Sequence, residues 1–412
     1  MGLDNVNASV WNQVRILFLG SALLFLINIF FGFDNALTPD GTVIPRWQLL
    51  MHLHAGTIGW ITLSVIGFML WVYTGQRDVS DSYVRGVTIL VWAGIIGFGG
   101  YIISFGLAFS QLGTFFFLLP FFGLWAAGVI WAALIFSAVQ LRRQPTVTTV
   151  HLLIFGALLV VSVGALFGIL LGLEHIVGFF IPGLDRIGTH AGLMDTYLFL
   201  AAAAIVERFV RWDASKRWTG AGLVQGLAWI IAALLVPVAI MVPELGFLFL
   251  IFPILLFLGL GLFLARVGRL ALAKNPLRAE VTSWTFFGTI WFIIFTGIFS
   301  YLVFFVPPED LGLLPAWVAA VFVHSAFVGM MTNLLLGLYS ARTQDVRNIL
   351  ATWEPMAILL VNLGILVFFL LKIALDMRIG AVVMGIGVIL GVLTMITRLG
   401  ATGGGTGQGM PA

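Results

Sequence analysis

The chain is 412 residues long, 61% hydrophobic and only 9% charged, with a mean hydropathy of +1.12. Soluble domains use about 25% charged residues, so this composition describes a protein embedded in a bilayer. The formal charge of +3 is scattered over short loops, where it informs orientation and provides no nucleic-acid-binding face. The absence of cysteine excludes thiolate zinc sites, iron–sulfur clusters, disulfides and covalent c-type haem attachment, so any metal must be held by His, Met or oxygen ligands.

Apolar runs long enough to cross a hydrocarbon core of roughly 30 Å fall near 11–33, 48–74, 86–110, 115–139, 148–173, 187–206, 219–242, 246–268, 283–306, 315–340, 353–375 and 378–398. The pattern predicts an all-α polytopic membrane protein of twelve transmembrane helices, one domain over 1–400, with a flexible Gly-rich tail over 401–412. The first run has no small-residue cleavage site before Phe30 and Phe31 and reads as an anchoring helix. All of the 20 cations except Arg46, Arg186, Lys372 and Arg378 lie at the termini or in the even-numbered loops. The positive-inside rule therefore predicts an inner-membrane protein with both termini in the cytoplasm. Asp34, Asp40, Glu174, Asp185, Glu244, Glu309 and Asp310 fall in the opposite loops. No internal sequence repeat stands out and no loop is long enough to hold an active site, so function is expected among the helices.

Six histidines occur, and imidazole inside a membrane helix is costly enough to need a reason. Neutral paired imidazoles most often ligate a metal or haem. Helix 2 runs inward, and at 1.5 Å per residue His52 and His54 lie roughly 6–9 Å below its start. His190 lies about 4–5 Å below the start of helix 6, and His324 about 13 Å below that of helix 10. These four are the candidate metal ligands. His151 and His175 fall at other levels and read as structural. His52 and His54 point about 200° apart on a regular helix, so at most one of them ligates a given haem unless the other serves a second centre.

Gly56 and Gly59 follow on the face of His52 and read first as helix-packing residues. Haem propionates need cations near the membrane surface, and Arg46 and Arg186 immediately precede the histidine-bearing helices 2 and 6. Asp195 is a carboxylate expected about 12 Å inside helix 6, suited to a proton path or an ion pair with Lys372. Tyr197 shares the face of His190 and is either a redox neighbour or a packing residue with a satisfied hydroxyl.

The twelve-helix pattern, with His52-Leu-His54-Ala-Gly-Thr-Ile-Gly59-Trp60 on helix 2 and His324-Ser-Ala-Phe-Val-Gly329 on helix 10, resembles the catalytic subunit I of the haem–copper oxidase superfamily. It resembles more closely that superfamily's reduced relatives, the NnrS-like and nitric oxide reductase-like membrane haem proteins. The resemblance implies a low-spin haem held between His52 or His54 and His324. It also implies a second metal near His190, but helix 7 has no histidine and Ser325 and Ala326 follow His324, so an oxygen- or nitric-oxide-reducing centre is incomplete.

The expectation is therefore a respiratory-membrane protein with one or two haem b groups and copper as a further option. It would transfer electrons or handle nitric oxide, with a small redox carrier or a membrane redox subunit as partner. Whether it is an enzyme stays open. A proton-coupled secondary transporter and a non-catalytic anchor subunit of a redox complex are the alternatives.

Overall fold

The computed structural model describes residues 7–38, 44–75, 77–109, 117–178, 186–210, 219–274, 280–306, 316–343, 346, 349–374 and 378–402. The predicted tail beyond 402 lies outside them, as do the side chains of His175, Arg186, Asp195 and Lys372.

Twelve long helices follow one another in the described residues: α1 (Ala8–Leu37), α2 (Arg46–Thr74), α3 (Asp81–Phe109), α4 (Leu118–Arg143), α5 (Thr149–Val177) and α6 (Arg186–Val210). They continue as α7 (Gly220–Met241), α8 (Leu248–Leu272), α9 (Glu280–Phe305), α10 (316–343), α11 (Glu354–Ala374) and α12 (Arg378–Ala401). Eleven are long and apolar enough to cross a membrane when only described residues are counted; α6, which carries His190, Glu207 and Arg208, is the twelfth. No strand occurs among the described residues. With backbone polar groups satisfied within each segment, helices are the form such runs must take in lipid.

Helix boundaries follow local chemistry. The Thr219 side chain accepts from the Gly222 N–H at the start of α7, as an N-cap residue does. Gly75, with φ +53°, ends α2 in a conformation that a side chain would strain. In α11 and α12, a Cβ at Gly364 or Gly380 would collide with the backbone of Met384 or Phe368, so glycine lets these two helices touch main chain to main chain.

One continuous apolar core runs from Val10 to Leu399. Several polar groups inside it are paired. Asn333 on α10 and Asn362 on α11 exchange side-chain amide hydrogen bonds of 3.0 and 3.2 Å, and Trp291 on α9 donates to Asn362 at 2.8 Å. Two ion pairs are buried at the end of the bundle where α1 begins and α12 ends. Arg266 on α8 meets Glu207 on α6 at 2.7 Å and Gln225 on α7 at 2.7 Å. Arg398 on α12 meets Glu354 on α11 at 2.5 Å, and Trp284 donates to the same carboxylate at 2.8 Å.

Candidate metal centre

Two helices depart from regular α geometry immediately after a histidine. In α2 the segment Ala55–Thr62 is π-helical, following His54; in α10 the segment Ser325–Thr332 is π-helical, following His324. Both are eight residues long. Such segments leave backbone carbonyls to other partners and cluster at functional sites. Here Thr62 donates to the Thr57 carbonyl at 2.9 Å and Thr332 to the Phe327 carbonyl at 2.8 Å, each spanning five residues.

The four candidate histidines lie inside the bundle, none of them fully exposed. His52 on α2 and His324 on α10 face each other, with ring centres 6.4 Å apart and planes inclined by 32°. His54, two residues on, points elsewhere: it stacks on Phe105 of α3 at 4.5 Å and meets the edge of Tyr101 at 5.4 Å. His190 lies on α6, the helix whose Tyr197 hydrogen bonds Thr62 of α2 at 3.1 Å. The opposed directions expected of His52 and His54 are thus realised.

In all four rings Nδ1 sits on a backbone carbonyl: His52 on Asn28 at 2.9 Å, His54 on Leu50 at 2.8 Å, His190 on Gly164 at 2.8 Å and His324 on Ala320 at 2.6 Å. A carbonyl can only accept, so Nδ1 carries the proton and Nε2 presents a lone pair. None of the four Nε2 atoms has a hydrogen-bond partner among the described residues, and none is among the fully enclosed, unpartnered atoms. His151 is the contrast. Its Nδ1 accepts from the Thr148 N–H at 3.1 Å and its Nε2 is enclosed without a partner, so it caps the start of α5 as a structural residue.

The first pair is held from both sides. A Cβ at Gly32 on α1 would stand 3.0 Å from the His52 ring, so that ring is seated on a helix surface with no side chain in the way. The Asn28 side chain also donates to the His52 carbonyl. Phe368 of α11 packs on His324 with ring centres 5.0 Å apart. On the opening side of the helix, Gly56 receives Asn28, and Gly59 receives Leu24 and Ile102, which is the packing role expected of both glycines. Below the pair, Trp60 on α2 donates to Thr332 on α10 at 3.1 Å.

Arg46 is exposed at the start of α2. Arg186 opens α6 and Asp195 lies within it, but their side chains are outside the described residues. Tyr197 is almost fully buried and hydrogen bonds Thr62 of α2 at 3.1 Å. Because Thr62 already donates to Thr57, the Tyr197 hydroxyl is the donor.

No group of three or more His, Cys, Asp or Glu side chains that could hold a metal occurs among the described residues. A bare zinc or copper ion takes three or four protein ligands. Two imidazoles fall short of that number, and a haem, whose macrocycle brings four nitrogens of its own, would need only these two from the protein. With metal–nitrogen bonds of about 2 Å, two axial imidazoles have ring centres about 6 Å apart, which the His52–His324 pair matches. The residues present therefore fit a haem.

No protein-family profile and no curated protein matches the sequence. Among solved structures, the chain is similar to a haem–copper terminal oxidase, described as a dimer studied by cryo-EM for its catalytic mechanism. The TM-score is 0.69 at 14% sequence identity, over 97% of this chain and 85% of that one. The fold is thus a polytopic helical bundle like that of the haem–copper oxidases, and the protein is an integral membrane protein.

Proposed function

We propose that this protein is a reduced relative of the haem–copper oxidases that binds a b-type haem between α2 and α10, with His52 and His324 as its axial ligands. The 6.4 Å approach of the two rings, each with Nε2 free, carries this reading. His54 faces away and is not the partner of His324. The Asn28 and Ala320 carbonyls fix both rings in the ligating tautomer and strengthen them as donors, and Gly32 and Phe368 hold the ring planes. Arg46, and Arg186 at the head of α6, are the candidate partners for haem propionates. With no cysteine in the chain, the haem is non-covalent.

Bound there, a haem supplies one-electron chemistry. With both His52 and His324 holding it, the iron would have no place for a small gas, which favours electron transfer. Handling of nitric oxide, the other activity implied by resemblance to the NnrS-like proteins, would require His52 or His324 to leave. Copper has no ligand set of its own among the described side chains. The electron-transfer partner is a redox carrier or redox subunit at the membrane, and the cation distribution supports an inner-membrane protein with both termini cytoplasmic. A pyridine haemochrome assay and a reduced-minus-oxidised spectrum of protein from haem-replete cells test the reading. A b-type, low-spin signal is expected; protein without haem would overturn it.

A further inference from the structure

The cradle around His52 and His324 occurs a second time, around His190 and His54. His52 donates from Nδ1 to the carbonyl of Asn28 on the preceding helix, and the glycine four residues further along that helix, Gly32, lies under its ring. His190 does the same on α5. It donates to the carbonyl of Gly164, and four residues further Gly168 lies under the ring, where a Cβ would stand 3.0 Å away, as at Gly32.

The partner histidines correspond too. His324 and His54 each bond the carbonyl four residues back, each precedes an eight-residue π segment, and each is followed by Gly at the fifth and Thr at the eighth position: Gly329 and Thr332, Gly59 and Thr62. The floors match as well. Trp60, eight residues after His52, donates to Thr332 at 3.1 Å, and Tyr197, seven residues after His190, bonds Thr62 at the same distance. The Tyr197–Thr62 hydrogen bond ties α6 to α2, as the Trp60–Thr332 bond ties α2 to α10. The relation maps α1, α2 and α10 onto α5, α6 and α2. Continued one step further, it reaches Phe322 on α10 and Gly192 on α6, positions without an imidazole.

From this duplication we infer that His54 and His190 are the axial ligands of a second b-type haem, between α2 and α6. The inference rests on the haem reading of the first pair. Each element of the second site meets the same requirement as in the first: a proton-bearing Nδ1 on a carbonyl, a free Nε2, a glycine seat, and a hydrogen-bonded aromatic–threonine floor. Phe105 and Tyr101 against His54 supply an aromatic wall on the α3 side. The two sites share α2, with ligands two residues apart on opposite faces, which explains a His-x-His spacing that one haem cannot use.

Haem per chain, measured by pyridine haemochrome on the purified full-length protein together with electron paramagnetic resonance of the ferric form, tests the inference. Two haems per chain and two low-spin signals are expected in the wild type. His190→Ala and His54→Ala should each halve the haem content and remove the same signal, while His52→Ala and His324→Ala remove the other. Gly168→Leu, which fills the seat under His190 without touching a ligand, should remove the same signal as His190→Ala. His151→Ala, compared by gel filtration, should keep both. One haem per chain, lost with His52 or His324 and untouched by His54→Ala and His190→Ala, would overturn the second site and leave the first standing. Two haems retained in His54→Ala and His190→Ala would overturn it equally. Wild-type protein with no haem would overturn the first reading as well.

Discussion

The ring of His52 and the ring of His324, residues more than 270 positions apart in the chain, approach to 6.4 Å, with planes inclined by 32° and both Nδ1 atoms tied to carbonyls. Neither the approach nor the tautomer is needed for packing alone.

The seat under His52 is testable apart from the ligands. Gly32→Leu places a branched side chain where the Gly32 Cβ position already lies 3.0 Å from the ring. Displacing a ligand ring by even an ångström should broaden or abolish the low-spin haem signal assigned to His52 and His324. An unchanged spectrum in well-folded Gly32→Leu protein would contradict this role for the glycine.

The buried pair of Arg266 and Glu207 should be a stability determinant. Removing one member leaves an uncompensated charge in a site less than a tenth exposed, at a cost of about 3–5 kcal/mol. Glu207→Leu alone should therefore lower the unfolding temperature sharply. Adding Arg266→Leu should recover much of the loss. A double variant no more stable than the single would show that the charge pair is not the cause.

His151→Ala should leave haem content and spectrum intact and reduce stability by about 1 kcal/mol, the usual effect of losing a helix cap. Loss of haem in this variant would mean that the division between the enclosed His151 and the four open histidines is wrong.

Orientation has its own test. Reporter fusions or cysteine labelling should find Asp34 and Arg46 outside and Arg143 and Arg398 inside. The reverse result would remove the cations near the histidines as periplasmic-side anchors and invert the topology.

The helices and the four candidate histidines were legible in sequence because length, hydropathy and depth are local properties. The opposed directions of His52 and His54 also follow from helix geometry alone. Which histidine each would meet was not legible, because it depends on how α2, α6 and α10 are placed around one another. The Asn28 and Gly164 carbonyls have no sequence signature either, being main-chain atoms selected by packing. One signal was available: His54…Gly59…Thr62 and His324…Gly329…Thr332 share a spacing, and it marks the two π segments. A pattern of three residues in nine is too short to stand out as a repeat until the geometry shows that it recurs. Arg46 and Tyr197 were placed by position, and only the structure shows that Tyr197 hydrogen bonds across to α2.

The most direct test of the account is the haem content and low-spin absorbance of His324→Ala measured beside the wild type. Wild-type protein should carry b-type haem with a low-spin signal, and His324→Ala, equally monodisperse, should lose the component that His52→Ala also loses. Unchanged haem content and spectrum in His324→Ala would contradict ligation by the His52–His324 pair and leave a proton-coupled transporter as the better account of the buried histidines.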